Sequence, residues 1–154
     1  MKRRTFLQGT LASSMVGAAV SAGLLTPRMV LAAWPESAFK AKSVDDGLNA
    51  LFGSVDTSQS ADIKIKAPDI AENGAVVPIT VSTSLPKVES ISVMVEKNPS
   101  PLAANFNLAA NTEGFVSTRV KMGKTSDLIA VVKSGGKLFS AKKQVKVTIG
   151  GCGG

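Results

Sequence analysis

Near its C-terminus the chain reads Val145-Lys146-Val147-Thr148-Ile149, a strict alternation of aliphatic and polar side chains. Successive side chains of a β-strand point to opposite faces of a sheet, so this pattern predicts a strand with Val145, Val147 and Ile149 facing a core. Lys146 and Thr148 then face solvent. The strand begins at about Lys137, directly after Ser134-Gly135-Gly136, which is typical of a hairpin turn.

Six further segments upstream of this turn show strand patterns. They are short, evenly spaced and separated by turn signals such as Asn73-Gly74 and the loop 98–101. Pro78 suggests a sheet edge or a bulge, because proline cannot donate to a ladder. About seven strands of this kind favour a mainly β fold, an immunoglobulin-like antiparallel β-sandwich. The six segments are 63–66, 76–81, 91–96, 103–108, 116–122 and 128–132.

A short helical region is predicted before the strands, over residues 35–53. Ser43 can cap a helix over 44–52 whose apolar residues recur at helical spacing on one face, and Gly53 is a suitable terminator. We expect this helix to dock on a sheet. The alternative is a helix that binds a partner.

The chain ends Gly150-Gly151-Cys152-Gly153-Gly154, and Cys152 is its single cysteine. Glycine lacks a Cβ and frees the backbone, so we expect a flexible arm that carries a thiol. Fully extended at about 3.5 Å per residue, such an arm reaches roughly 15 Å beyond its last anchored residue. The alternative is a frayed terminus with an incidental cysteine.

The composition excludes several kinds of site. The 154 residues include no histidine, which excludes Ser-His-Asp triads and His-ligated zinc. With one cysteine, no intrachain disulfide can form. No glycine-rich phosphate loop follows a strand, and we expect neither a cofactor nor a metal.

The formal net charge of +7 would suit a nucleic-acid partner, but its distribution argues otherwise. Residues 1–32 contain four basic side chains and no acidic one. The remaining chain has 14 basic and 11 acidic residues, a net charge of +3. With few aromatic residues to stack on bases, no nucleic acid is expected as a partner.

Residues 1–32 have the pattern of a signal peptide: a basic start, an apolar middle and a small-residue cleavage site at Val30-Leu31-Ala32. Arg3-Arg4 followed by Thr5-Phe6-Leu7 resembles the twin-arginine consensus, so we expect export by the Tat route to the periplasm, with no membrane attachment after cleavage. The alternative is an uncleaved membrane anchor. The predicted organisation is a leader (1–32), a β-sandwich domain (33–149) and an arm (150–154).

These features together resemble the SoxY family, the sulfur-carrier subunits of the bacterial thiosulfate-oxidising (Sox) system. The family's hallmark is a C-terminal Gly-Gly-Cys-Gly-Gly arm, which residues 150–154 match without departure. The stretch from Ala38-Phe39 to Leu51-Phe52-Gly53 also looks like the family's N-terminal helix. The resemblance covers the full length of the chain.

The resemblance implies a carrier and not an enzyme. It assigns Cys152 as the covalent attachment site for thiosulfate-derived sulfur and a SoxZ-like subunit as the partner in a heterodimer or larger complex. It also implies three enzymes that act on the arm: a c-type cytochrome complex, a dimanganese hydrolase and a sulfane dehydrogenase. A thiolate is the nucleophilic form of cysteine, and no base in the arm favours it, so activation is expected from the enzymes.

Lys142, Lys143 and Lys146 lie on the predicted strand that leads into the arm. They can attract anionic sulfur substrates or an acidic partner surface. The alternative is a solvated strand face without function.

Three competing functions remain open. An exported structural protein that dimerises through a Cys152 disulfide fits a lone cysteine. A ubiquitin-like carrier acting through its C-terminal Gly153-Gly154 needs ATP-dependent activation, which the leader argues against. A thiol enzyme such as a peroxidase lacks a base to activate its nucleophile.

Overall fold

Two β-sheets and a pair of short helices form the fold of residues 35–148, the part of the chain that a computed structural model describes. The helices are α1 (Glu36–Lys40) and α2 (Val44–Phe52). The strands are β1 (Ser58–Gln59), β2 (Ile63–Lys66), β3 (Ile70–Ala71), β4 (Val77–Thr83), β5 (Val88–Val95), β6 (Leu102–Asn107), β7 (Phe115–Val120), β8 (Ser126–Ser134) and β9 (Lys137–Val147). The predicted leader, Ile149 and the arm 150–154 lie outside the described residues.

The larger sheet has the strand order β1-β9-β8-β5-β6, and β3 pairs with β9 as well. The smaller sheet has the order β2-β4-β7. The seven longer strands pair antiparallel, whereas the two-residue strands β1 and β3 run parallel to β9. The predicted mainly β fold with a helical segment near its start is confirmed.

The main core lies between the two sheets. Aliphatic side chains from alternate positions of the smaller sheet meet those of β5, β8 and β9, as in a β-sandwich. The members with no exposed surface are Val77, Val81, Ile91, Val93, Val95, Leu128, Ala130, Val132 and Val145. Of the inward positions predicted on the last strand, Val145 is fully buried and Val147 is partly buried against this core, and Ile149 lies outside the described residues.

A second, smaller core lies on the other face of the larger sheet. Ala38 of α1 and Leu48 of α2 pack with Met94 of β5 and Ile129 of β8, and all four are buried. Both faces of β5 and β8 are consequently covered, and Ser92 is fully buried there too, with its hydroxyl 2.8 Å from Asn105 Oδ1. The predicted docking of the helix on a sheet is confirmed.

The helix boundaries follow the predicted signals. The Ser43 side chain accepts a hydrogen bond of 3.0 Å from the Asp46 amide at the start of α2, and this satisfies one of the free amides of the first turn. Gly53 ends the helix in the left-handed conformation, with φ of 70°.

Pro78 lies in a strand that has neighbours on both sides, yet its own position has only one. β2 pairs with Thr80–Thr83 of β4 and ends before Pro78, which faces Arg119 of β7. At this point β4 is an edge, as the proline predicted. The two short strands β1 and β3 were not predicted, because two residues carry no readable period.

Candidate functional site

The end of β9, together with Thr148 after it, is held along one edge by the segment 69–71, which contains β3. The Lys146 amide donates to the Asp69 carbonyl at 2.9 Å, and the Thr148 amide donates to the Ala71 carbonyl at 3.1 Å. These bonds join residues more than 70 positions apart in sequence, so they exist only in the folded domain. They keep the backbone in a fixed position up to Thr148.

The turn before β8 holds the end of β9 from the other edge. The Val147 amide donates to Thr125 Oγ1 at 3.0 Å, just before β8 begins. The Val147 side chain packs against Gly74, where an added Cβ would lie 2.7 Å from Val147 Cγ1 and 2.3 Å from the Met122 carbonyl oxygen. The Met122 amide in turn donates to the Gly74 carbonyl at 2.7 Å. The end of β9 is thus enclosed by the segment 69–76 and the turn 121–125.

Lys143 fastens the segment before β3 to the middle of β9. Its ammonium donates to the Ala67 carbonyl at 2.7 Å and lies 3.1 Å from Asp69 Oδ1. The lysine is about two-thirds covered, whereas the Asp69 side chain is 90% exposed. Since the carboxylate remains in solvent, the ion pair itself contributes little, and the bond to the carbonyl positions the chain.

The three lysines predicted to act together therefore lie on two different faces of β9. Lys143 points to the sandwich side of β9 and is used for structure. Lys142 and Lys146 alternate with it, lie on the opposite face and are exposed. Only these two remain available to an anion or an acidic surface.

The proposed attachment residue follows this anchored strand closely. Cys152 is four residues beyond Thr148, a span of at most about 14 Å along an extended chain. Cys152 and the arm glycines Gly150, Gly151, Gly153 and Gly154 lie outside the described residues. Arg3 and Arg4 of the predicted export signal also lie outside them.

The described residues offer no competing centre for metal chemistry. Over 35–148, no group of three or more His, Cys, Asp or Glu side chains could hold a metal ion. An open depression of about 270 Å³ between α2 and the β8–β9 turn is lined by polar and charged side chains, among them Ser54, Asp56, Ser58, Lys133 and Lys137. No helix within 35–148 is long and apolar enough to cross a membrane.

The Glu89 carboxyl in β5 has a lowered pKa. Lys133 and the Gly136 amide both hydrogen-bond the Glu89 carboxylate, at 2.9 Å each, and lower its pKa below the usual 4.5. This carboxylate ties the β8–β9 turn to β5. It lies at the opposite end of β9 from the arm and has a structural role.

Comparison with known proteins shows the family of this chain. The sequence profile described as "Sulfur oxidation protein SoxY" matches residues 48–152, more than half of the chain. The chain belongs to the SoxY family. The matched region begins in α2 and ends at Cys152.

A solved SoxY structure has the same fold. The sulfur carrier protein SoxY from Chlorobium limicola f thiosulfatophilum is 47% identical, with a TM-score of 0.64, and the match covers 75% of this chain and 100% of that one. A superoxide reductase (neelaredoxin) from Ignicoccus hospitalis has a TM-score of 0.51 at 18% identity over 69% of this chain and 93% of that one, which shows a shared fold alone. No curated protein sequence matches the chain.

The arm of this SoxY-family chain stays a prediction, and the contacts that hold the strand before it were not predicted. Ile70-Ala71 is too short to show a strand period, and Thr125 carries no signal that distinguishes it from a turn residue. Asn73-Gly74 was predicted as a turn, and the Ala75 amide does donate to Asn73 Oδ1 at 2.9 Å. The close contact of Gly74 with Val147 becomes visible only in the tertiary structure.

Proposed function

We propose that this SoxY-family protein is a periplasmic sulfur carrier that holds thiosulfate-derived sulfur covalently on Cys152. The observation that supports this most directly is the anchoring of β9 up to Thr148, four residues before the single cysteine. A rigid base with a short glycine-rich extension presents one thiol at a defined place while leaving the tip free to enter a partner.

The chemistry is an oxidative coupling. The Cys152 thiol loses its proton, its sulfur bonds to the sulfane sulfur of thiosulfate, and two electrons pass to the c-type cytochrome complex. Water then attacks the terminal sulfonate group, sulfate leaves, and the sulfane sulfur stays on Cys152. A manganese-dependent hydrolase and a sulfane dehydrogenase act in these later stages, and the sulfur remains attached to the arm between them.

The protein acts as a carrier and not as an enzyme. A cysteine needs a base or a nearby cation to become a strong nucleophile at neutral pH, and the chain has no histidine. The partner enzymes therefore supply the activating groups. Export through the Tat route, directed by Arg3 and Arg4, suits a domain that leaves the cytoplasm already folded with a SoxZ-like subunit.

The test is the intact mass of the protein purified from thiosulfate-grown cells without reductant, followed by fragmentation of the C-terminal peptide. We expect reductant-sensitive masses of added thiosulfate or sulfane sulfur on Cys152, and none in Cys152→Ser. An unmodified thiol, or a homodimer disulfide alone, would favour the structural protein instead. Sulfur on the Gly154 carboxyl group would favour the thiocarboxylate carrier.

A second variant tests the role of the glycines. In Gly151→Val a branched side chain stands next to the reactive cysteine, where a narrow enzyme channel would exclude it. We expect an unchanged melting temperature, because residue 151 lies beyond the anchored strand, and slower enzymatic loading of Cys152. Loading at the wild-type rate would show that the arm does not pass through a narrow channel.

A further inference from the structure

Exposed apolar side chains stand beside the base of the arm. Ile70 is 56% exposed and Val76 is 50% exposed, although both are large aliphatic residues in a domain with a well-filled core. Ile70 pairs with Lys146 in the β3–β9 ladder. Val76 precedes Val77, the partner of Val120, so its nearest neighbour across the strands is Lys121. The segment that encloses Val147 and Thr148 thus carries an apolar residue at each end.

Charged side chains accompany these two residues. Lys121 and Lys124 flank the buried Met122 in the turn before Thr125, and Lys146 lies on β9 itself. Within residues 35–148 none of the three forms an ion pair with a carboxylate. Glu72 is an exposed acidic residue of the same surface. The neighbouring Asp69 is exposed as well, but it is paired with Lys143, and this pair adds no net charge. We refer to these exposed residues as the collar: Ile70, Glu72, Val76, Lys121, Lys124 and Lys146.

The length of the arm determines what must cover the collar. Cys152 is at most about 14 Å from Thr148, even when the chain between them is fully extended. An enzyme whose reactive group lies at the bottom of a recess must therefore bring the mouth of that recess close to Thr148. The residues around Thr148 are those of the collar, so the mouth of the recess contacts them.

We propose that the collar is the docking surface for the enzymes that act on Cys152, and that it recognises a recess whose mouth is apolar with an acidic rim. This inference rests on the proposed function. Ile70 pairs with Lys146 and faces away from the core on the larger sheet, whereas Val76 precedes the buried Val77 and faces away from the core on the smaller sheet. Each gives a small apolar contact on its own side of the strand end, and the net charge of +2 on the surrounding side chains favours carboxylates opposite them.

The composition of the collar favours a transient partner enzyme over the SoxZ-like subunit, which would stay bound. Permanent interfaces are large and resemble a bisected core, whereas short-lived encounters use small areas with charged rims. The collar has two exposed aliphatic side chains among four charged ones. Attraction between opposite charges also accelerates encounter, which suits a carrier that must visit several enzymes in turn.

The first test changes the two exposed aliphatic side chains of the collar. The double variant Ile70→Ser/Val76→Ser is compared with Val55→Ser, which changes a side chain that is 46% exposed in the segment between α2 and β1. Each is prepared as the complex with the SoxZ-like subunit. The measurements are kcat and kcat/KM for thiosulfate loading by the c-type cytochrome complex, and the rate at which Cys152 reacts with a small aromatic disulfide.

For the double variant we expect kcat/KM to fall about tenfold, with kcat at saturating carrier and the small-reagent rate unchanged. Val55→Ser should behave as the wild type. An unchanged kcat/KM in the double variant would overturn the proposal. So would loss of the complex with the SoxZ-like subunit, because the collar would then be the subunit interface.

The second test uses the charges. Lys146→Glu is compared with Lys137→Glu, an exposed lysine at the other end of β9. We expect Lys146→Glu to lower kcat/KM and to weaken its dependence on salt, and Lys137→Glu to do neither. Equal effects of the two variants would mean that only the overall charge matters. They would overturn the proposal that the collar faces an acidic rim on the enzyme. A wild-type complex that gains no sulfur on Cys152 would instead refute the proposed function, and this inference with it.

Discussion

The two ends of β9 are held in different ways. At its start, a two-residue turn connects β8 to β9, and Gly135 and Gly136 both have positive φ, 54° and 75°. This is the geometry of a tight hairpin, which local sequence can specify. At its end, the strand is held by Ala71, Gly74 and Thr125, which are distant in sequence. The turn end combines this backbone conformation with the contact of Glu89, whereas the arm end depends on tertiary contacts.

This difference has a functional meaning for a carrier. The turn end needs only to reverse the chain, and a turn of the right kind does so by itself. In the proposed function, the arm end must resist displacement when an enzyme takes up the arm. Hydrogen bonds on both edges of β9 distribute such a displacement over two separate segments of the chain, 69–71 and the turn 121–125. The comparison predicts which substitutions weaken each end.

Gly74→Ala should have the largest effect, at the arm end. The added Cβ would lie 2.3 Å from the Met122 carbonyl oxygen, and a backbone atom cannot easily move away. Overpacking of this kind costs about 1–3 kcal/mol, and the loss of chain freedom in the unfolded state returns only about 0.4–1 kcal/mol. We expect the free energy of unfolding in urea to fall by roughly 1–2 kcal/mol.

Gly123→Ala is the matched control for this variant. It lies in the adjacent turn, and its added Cβ would meet only Asn98 Oδ1, at 3.9 Å. We expect a change within about 0.5 kcal/mol. Equal losses in the two variants would show that Gly74 is not a tight contact of β9.

Gly136→Ala should have a smaller effect, at the turn end. There is open space around the added methyl group, so the cost comes from φ of 75° alone. An L-residue in the left-handed region costs roughly 1 kcal/mol, and asparagine tolerates it better than alanine. We expect a loss of about 1 kcal/mol in urea unfolding for alanine and a smaller loss for Gly136→Asn. A loss at least as large for asparagine would contradict a purely conformational cause.

Glu89→Gln should have the smallest effect, and its effect should depend on pH. Lys133 and the Gly136 amide lower the pKa of this carboxyl in the folded state, so the ionised form stabilises the fold. That contribution is present above the unfolded pKa and is lost as the pH falls through the lowered folded pKa. The side chain is 44% exposed, so solvent screens the ion pair with Lys133.

Urea unfolding of the wild type and Glu89→Gln at several pH values tests this prediction. The wild type should be slightly more stable at neutral pH, and the difference should vanish in acid, where its carboxyl is protonated. High salt should reduce the difference as well. A difference that grows as the pH falls would contradict the assigned pKa direction.

Much of the fold could be predicted because its signals are local. Seven strands, the capping of α2 by Ser43 and the glycine turn before β9 each depend on neighbouring residues. The arm was also recognisable, since a lone cysteine between glycines needs no tertiary context. The export signal and the covalent role of Cys152 stay predictions.

Other features could not be predicted because they join distant segments. Ile91, Val93 and Val95 alternate with Ser92 and Met94 in the sequence, which is the pattern of a strand with one buried face, yet Ser92 and Met94 are buried as well under the helices. A sequence pattern shows which face is apolar, but not whether another element covers the second face. The same applies to Lys143, which a list of charges cannot separate from Lys142 and Lys146.

Side-chain periodicity and backbone preference act over a few residues, so local sequence specifies the seven longer strands, the turn and a single cysteine beyond the last strand. The enclosure of the end of that strand by Ile70-Ala71 and Thr125, and the exposure of Ile70 and Val76 around it, depend on long-range packing. These contacts form because folding brings residues 69–76 and 121–125 together beside Thr148, across separations that no local pattern records.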